Sequence, residues 1–165
     1  MIGNVLLHLI AHSLPVGLLF VIWKCNSRRW ARLAKAYRAA EETHCFAKRT
    51  MQTVMLVGGD VGRNSYKGIV TVSVGREGIL LELMLPFSTF HPPLLIPYSA
   101  CDIEPRQRFL MGDTFQYTLR DVSDVKIIVH DDLQDWIESQ AASLASVSAR
   151  TRIESDAFDG MATTV

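Results

Sequence analysis

Val5–Trp23 runs for nineteen residues without an Asp, Glu, Lys or Arg. As a helix rising about 1.5 Å per residue it would span roughly 28 Å, close to the ~30 Å hydrocarbon core of a bilayer. This feature predicts a single transmembrane helix, an anchor over residues 1–24, and leaves the remaining chain for one compact domain. Six bases (Lys24, Arg28, Arg29, Arg32, Lys35, Arg38) and no acid occupy the first 40 residues, whereas the rest carries 11 bases against 17 acids. Bases just beyond a span stay on the cytoplasmic side. The expectation is a single-pass protein of the inner (cytoplasmic) membrane, N-terminus outside and C-terminal domain cytoplasmic. A cleaved signal peptide fits less well. Nothing basic precedes the run, the run is full-span, and Ile22-Trp23-Lys24-Cys25 lacks the small residues of a cleavage site.

His8 and His12 stand at i, i+4 within the run, on one helix face. They read either as partly hydrated neutral imidazoles or as a polar or metal contact with a partner helix. The three cysteines, Cys25, Cys45 and Cys101, show no Cys-x-x-Cys spacing, as expected of reduced thiols.

Residues 25–45 read as a basic amphipathic juxtamembrane element, its helix running from Ser27 as N-cap to Thr43. Trp30, Leu33, Ala34 and Tyr37 fall at i, i+3, i+4, i+7, with Arg28, Arg32, Lys35 and Arg38 around the rest of the circumference. Two readings stay open. Either Trp23, Lys24, Arg28, Arg29, Trp30, Arg32, Leu33, Lys35, Tyr37 and Arg38 meet membrane lipid, or the Trp/Leu/Tyr stripe packs on the following domain; periodicity does not separate lipid from protein core.

From about Met51 the period becomes alternating. Met51–Val57 is an apolar run before the loop Gly58-Gly59-Asp60-Val61-Gly62, which lacks the Gly-Lys-Ser/Thr of a phosphate loop. Lys67–Val74 and Ile79–Leu85 form a hairpin around Gly75-Arg76-Glu77-Gly78. Leu94–Tyr98 reads as a short edge strand limited by Pro97, and Thr114–Leu119 and Val125–Val129 as two more. Asp131 with Gln134 suggests a capping box for a helix of Asp132–Ser146, burying Trp136 and Ile137. Residues 147–165, poor in large apolar side chains, are expected to be disordered.

Short strands followed by one amphipathic closing helix resemble a pleckstrin-homology-like (PH-like) or GRAM-like roll. Trp30-Ala-Arg-Leu-Ala-Lys-Ala-Tyr-Arg, Tyr66-Lys-Gly, Gly78-Ile-Leu-Leu and His91-Pro-Pro-Leu-Leu-Ile-Pro-Tyr-Ser resemble an uncharacterised family of small bacterial membrane-anchored proteins, with Tyr98 where Trp is usual. The likeness covers about residues 28–138. It implies topology and fold rather than chemistry. The fold class expected is therefore α+β: transmembrane helix, juxtamembrane helix, then a PH-like antiparallel β-roll over 46–146 closed by a C-terminal helix.

For His91–Ser99 two readings stand: a rigid edge driven into the core, or an exposed apolar knob. In the second, Phe87, Phe90, Pro92 and Pro93 form an interaction loop for lipid or a protein. The function expected is a membrane-tethered, non-enzymatic interaction module whose partners are membrane lipids and an unidentified membrane or cytoplasmic protein. The scattered bases Lys48, Arg49, Arg63, Lys67, Arg76, Arg106, Arg108, Arg120 and Lys126 in an acidic domain favour a protein over a phosphoinositide-like ligand. The alternative is an accessory subunit docked through the His-containing helix. No cofactor, metal or nucleic acid is expected. An enzyme would have to assemble His44, His91, Cys101, Asp102 and His130 in space, and nothing in their spacing predicts that.

Overall fold

The computed structural model describes residues 17, 21–25, 27–40, 43–58, 63–108 and 112–162, the side chains of 107, 108 and 149–162 excepted. A first helix, α1, holds helical residues 21–25 and 27–37. Seven strands follow: β1 (Cys45–Gly58), β2 (Arg63–Gly75), β3 (Gly78–Leu83), β4 (Leu94–Pro97), β5 (Cys101–Arg108), β6 (Gly112–Leu119) and β7 (Val125–His130), then the helix α2 (Asp131–Ala162). They make one antiparallel sheet of order β4-β3-β2-β1-β7-β6-β5.

The sheet curls because β1 bends. Its first half pairs with the end of β2 (Lys48↔Ser73), its second half with the start of β2 (Met55↔Ser65) and with β7 (Met55↔Ile128). The register slips between Arg49 and Gln52 and again before Val54. Met51 at φ 58 and Gly68 at φ 66 absorb the bend, the local kinking that bulges produce. Period-two alternation then puts Val54, Leu56, Tyr66, Val70, Val72, Leu81, Ile96, Tyr117, Ile127 and Val129 on the concave face, all buried. At the far end of β1, Gly58 sits at φ +106, and a Cβ there would lie 2.0 Å from the Asp124 carbonyl oxygen. Only glycine lets β1 cross the β6–β7 turn at this distance.

α2 closes one side of the roll with Leu133 and Ile137, both buried, and with a half-buried Trp136. The expected capping box does not form. Asp131 Oδ1 accepts the Asp132 N–H, while Gln134 is buried, accepts from the Tyr117 hydroxyl and donates to Glu138 Oε1 at 2.7 Å. Burial pushes the Tyr117 phenol up, so it stays a donor.

α1 belongs to the same core. Trp30 and Leu33 are 0 % exposed and Tyr37 is buried. The Trp30 indole donates to Pro92 O at 2.7 Å, and the Asp121 N–H donates to the Tyr37 hydroxyl at 3.1 Å. Beyond the helix, Ala39 N–H donates to Pro93 O and Arg38 bridges Leu94, covering the β4 edge. The β5 edge is blunted differently. Arg120 N–H bonds Ala100 O, so the alternation of an antiparallel ladder turns Asp102, Glu104 and Arg106 toward β6 and leaves Ile103 and Pro105 facing outward. Pro105 has no N–H to offer a further strand.

Several expectations are corrected here. Among the described residues no helix is long and apolar enough to cross a membrane. The single-pass, inner-membrane placement with N-terminus outside and cytoplasmic domain loses its basis with that finding. Of the run Val5–Trp23, only Gly17 and Val21–Trp23 are described; His8, His12 and the loop residues 59–62 lie outside the described residues. α1 ends at Tyr37, six residues before Thr43. β1 starts at Cys45, and β5, unforeseen in the sequence, fills Cys101–Arg108. Where a disordered tail is expected from residue 147, α2 continues to Ala162.

Candidate interaction surface

His91 is the hub from which one end of the roll is built. It is buried, its Nδ1–H donates to Thr89 O at 2.9 Å, and its Nε2 accepts from the Tyr66 hydroxyl at 3.3 Å. That pairing fixes the neutral tautomer. Burial lowers the His91 pKa, and the bond to the Thr89 carbonyl only partly opposes it. Burial likewise pushes the Tyr66 phenol up to about 12. The rings of Trp23, Trp30 and Tyr66 surround the imidazole at centroid distances of 4.7, 5.5 and 5.6 Å. The Pro92-Pro93 pair leads straight from this hub into β4, and their carbonyls are the ones that Trp30 and Ala39 use.

What the hub holds up is apolar and in solvent. Residues 85–90 form a turn after β3, tied by Phe87 N–H to Met84 O and His91 N–H to Ser88 O, each 2.8 Å. Leu85 is 85 % exposed, Phe87 40 % and Phe90 41 %. The start of α1 lies against this turn. Trp23 Nε1–H donates to Thr89 O at 3.1 Å, its ring stands 5.6 Å from Phe87, and Lys24 Nζ lies 5.7 Å over the Phe90 ring. Val21, Ile22 and Met84 add further exposed apolar side chains. Phe90 is held at φ 67, a left-handed conformation that costs a bulky residue of order 1–3 kcal/mol.

The expected site residues divide accordingly. Trp23, Lys24, Phe87 and Phe90 meet at this end. Trp30, Leu33 and Tyr37 do not contact lipid; they are core. Arg29 is buried against Gly58 O and Asn64 Oδ1, each at 2.6 Å. Arg32, farther along α1, pairs with Asp124 at 2.6 Å. Arg28 and Lys35 are exposed along α1 and Arg38 just beyond it, while Pro92 is half-buried and Pro93 exposed, their carbonyls bonded to the Trp30 indole and the Ala39 N–H.

The candidate catalytic side chains are dispersed. His91 is enclosed by rings. Cys101 opposes Leu119 at one end of the β5–β6 ladder and His130 opposes Thr114 near the other, five residues or about 17 Å apart along the strands. Burial, with Asp102 beside it, raises the Cys101 thiol, which donates to Tyr98 O. That disfavours the nucleophilic thiolate. Among the described residues no three His, Cys, Asp or Glu side chains are placed to hold a metal ion. No protein-family model matches the chain, and no similar protein was found among the curated proteins or the solved structures.

Proposed function

We propose that this chain is a non-enzymatic interaction module, a PH-like roll that seats its apolar end on a lipid surface by interfacial contact rather than by spanning it. The observation that carries the reading is the exposed cluster of Leu85, Phe87 and Phe90 beside Val21–Lys24, held out by a buried His91–Tyr66–Trp30 hub. The strand order and closing helix support the PH-like assignment. Lipid is favoured over a protein partner by the chemistry of the patch. It joins a tryptophan, two phenylalanines and a lysine, the combination suited to the bilayer interface. It is also continuous with the charge-free segment that precedes it.

Full burial of an aliphatic or aromatic side chain contributes about 1.5–3 kcal/mol. Half of that over four side chains gives roughly 3–6 kcal/mol, a contact between several millimolar and tens of micromolar, and Lys24 and Arg28 add about 1 kcal/mol each on an anionic surface. Flotation of the full-length chain with vesicles tests this. Leu85→Ser with Phe87→Ser is expected to lower the partition at least about tenfold. Unchanged partition would contradict the reading, and saturable capture by a protein surface instead would favour the accessory-subunit alternative.

A further inference from the structure

The apolar end is fastened through one carbonyl. Thr89 O accepts both the His91 Nδ1–H at 2.9 Å and the Trp23 Nε1–H at 3.1 Å. The turn 85–90 and the start of α1 therefore share a single acceptor, with the imidazole wedged between them. Its ring centroid stands 4.7 Å from that of Trp23 and 5.5 Å from that of Trp30, both on α1. From the other side, Tyr66 on β2 donates its hydroxyl to Nε2 at 3.3 Å. His91 is 2 % exposed, so these contacts enclose a ring shut off from water. The other backbone bonds of the turn, Phe87 N–H to Met84 O and His91 N–H to Ser88 O, are local. Beyond it, Trp30 and Ala39 hold the Pro92 and Pro93 carbonyls, which places a hinge just after His91.

A second proton does not fit this enclosure. Nε2 accepts only while it lacks a proton, so protonation removes the acceptor that Tyr66 uses. The new charge would also lie among groups that do not balance it. On α1 the charged neighbours are cations: Arg29, close enough to act on the Tyr66 phenol, and Lys24, over the Phe90 ring at 5.7 Å. Residues 84–93 carry no charged side chain. On β3, Glu82 is paired with Lys48 at 3.7 Å. Burial lowers the His91 pKa, and no carboxylate opposes it. The surrounding rings offer some cation–π attraction, less than the cost of burying an unpaired charge. A protonated imidazole gains water only by moving out, and the segment free to move with it is 85–91.

We propose that His91 is an acid-released latch: a proton on its imidazole frees residues 85–91 from α1, separates Phe87 and Phe90 from Trp23 and Lys24, and takes the apolar end off lipid. The last step rests on the lipid docking proposed above; the release itself does not. A hydrated imidazole titrates near about 6.5, so below that value one proton changes the open-to-closed ratio by at most about tenfold per pH unit.

Two readouts on the full-length chain keep release and docking apart. Fluorine NMR of the fluorotryptophan-labelled chain follows Trp23, identified by its loss in Trp23→Phe, while Trp136 on α2 reports whether the roll stays folded. Between about pH 7.5 and pH 5 the Trp23 line is expected to shift with a midpoint below about 6.5, and the Trp136 line to stay. Over the same range, partition onto pure phosphatidylcholine vesicles is expected to fall at least about threefold. His91→Gln is expected to abolish both changes. Tyr66→Phe keeps the ring but removes the hydrogen bond to neutral Nε2, and is expected to move both to higher pH. If His91→Gln does not fold, Tyr66→Phe and direct NMR titration of the parent His91 imidazole decide the matter. A Trp23 line indifferent to pH, or one titration shared by the parent and both variants, would overturn the latch. A titrating Trp23 with undiminished partition would overturn its coupling to lipid. A titrating Trp23 with no partition at any pH supports the release and contradicts the lipid reading instead.

Discussion

His91 shows how one side chain couples packing to pH. Its folded pKa is depressed by burial, so the unfolded chain takes up a proton first as pH falls. The stability it contributes is fully present above its unfolded value of about 6.5 and is lost as pH drops from there through the depressed folded value. Denaturant midpoints are therefore expected to fall between about pH 7 and pH 5, and His91→Gln is expected to flatten that dependence. An unchanged slope in the variant would count against the buried neutral imidazole. The two tryptophans give a paired comparison. Trp30, fully buried with its N–H satisfied, is expected to cost about 3–5 kcal/mol when changed to Ala. Trp136, half-buried on α2, should cost clearly less. Sequence periodicity selects both as apolar-face residues, and it points to Trp136 as the buried ring. The relative depth was not legible, because it depends on α1 entering the concavity, a contact between residues sixty apart.

At the scale of elements, alternation revealed β2, β3, β6 and β7 and the start of α2 to within a few residues. It failed where exposed positions break the pattern. Cys101–Arg108 mixes charges with Pro105 and shows no clear alternation, yet pairs with β6 along its whole length. The capping-box motif at Asp131–Gln134 was legible but misleading, since the buried Tyr117 hydroxyl captures Gln134. The close crossing of β1 over the β6–β7 turn is likewise tertiary. It depends on Gly58 passing the Asp124 carbonyl, and Gly58→Ala is expected to destabilise the chain by at least about 2 kcal/mol through strain and overlap. A loss below about 0.5 kcal/mol in urea titration would show that β1 and the β6–β7 turn separate easily.

For the whole molecule, the same apolar-then-basic pattern that suggests a span and an interfacial helix is divided by the fold. The Trp/Leu/Tyr stripe of α1 fills the core, Arg29 and Arg32 are tied to Asn64 and Asp124, and Val21–Lys24 joins residues 84–90 at one end. Phe87 and Phe90 were legible as an apolar pair. Their meeting with Trp23 and Lys24 was not, since it needs the turn and α1 to be brought together by His91. The most direct test of this arrangement places an environment-sensitive fluorophore at Leu85→Cys and, separately, at Glu104→Cys on the distant β5 strand, in a Cys25→Ser background. Burial holds the Cys45 and Cys101 thiols above their usual range, with Glu82 and Asp102 adding to it, so labelling at neutral pH favours the introduced site. On vesicles, the probe at 85 is expected to shift to the blue and to be quenched by brominated acyl chains, while the probe at 104 stays in water. Equal behaviour at both positions, or a shift at 104 alone, would contradict the docking of this end on lipid.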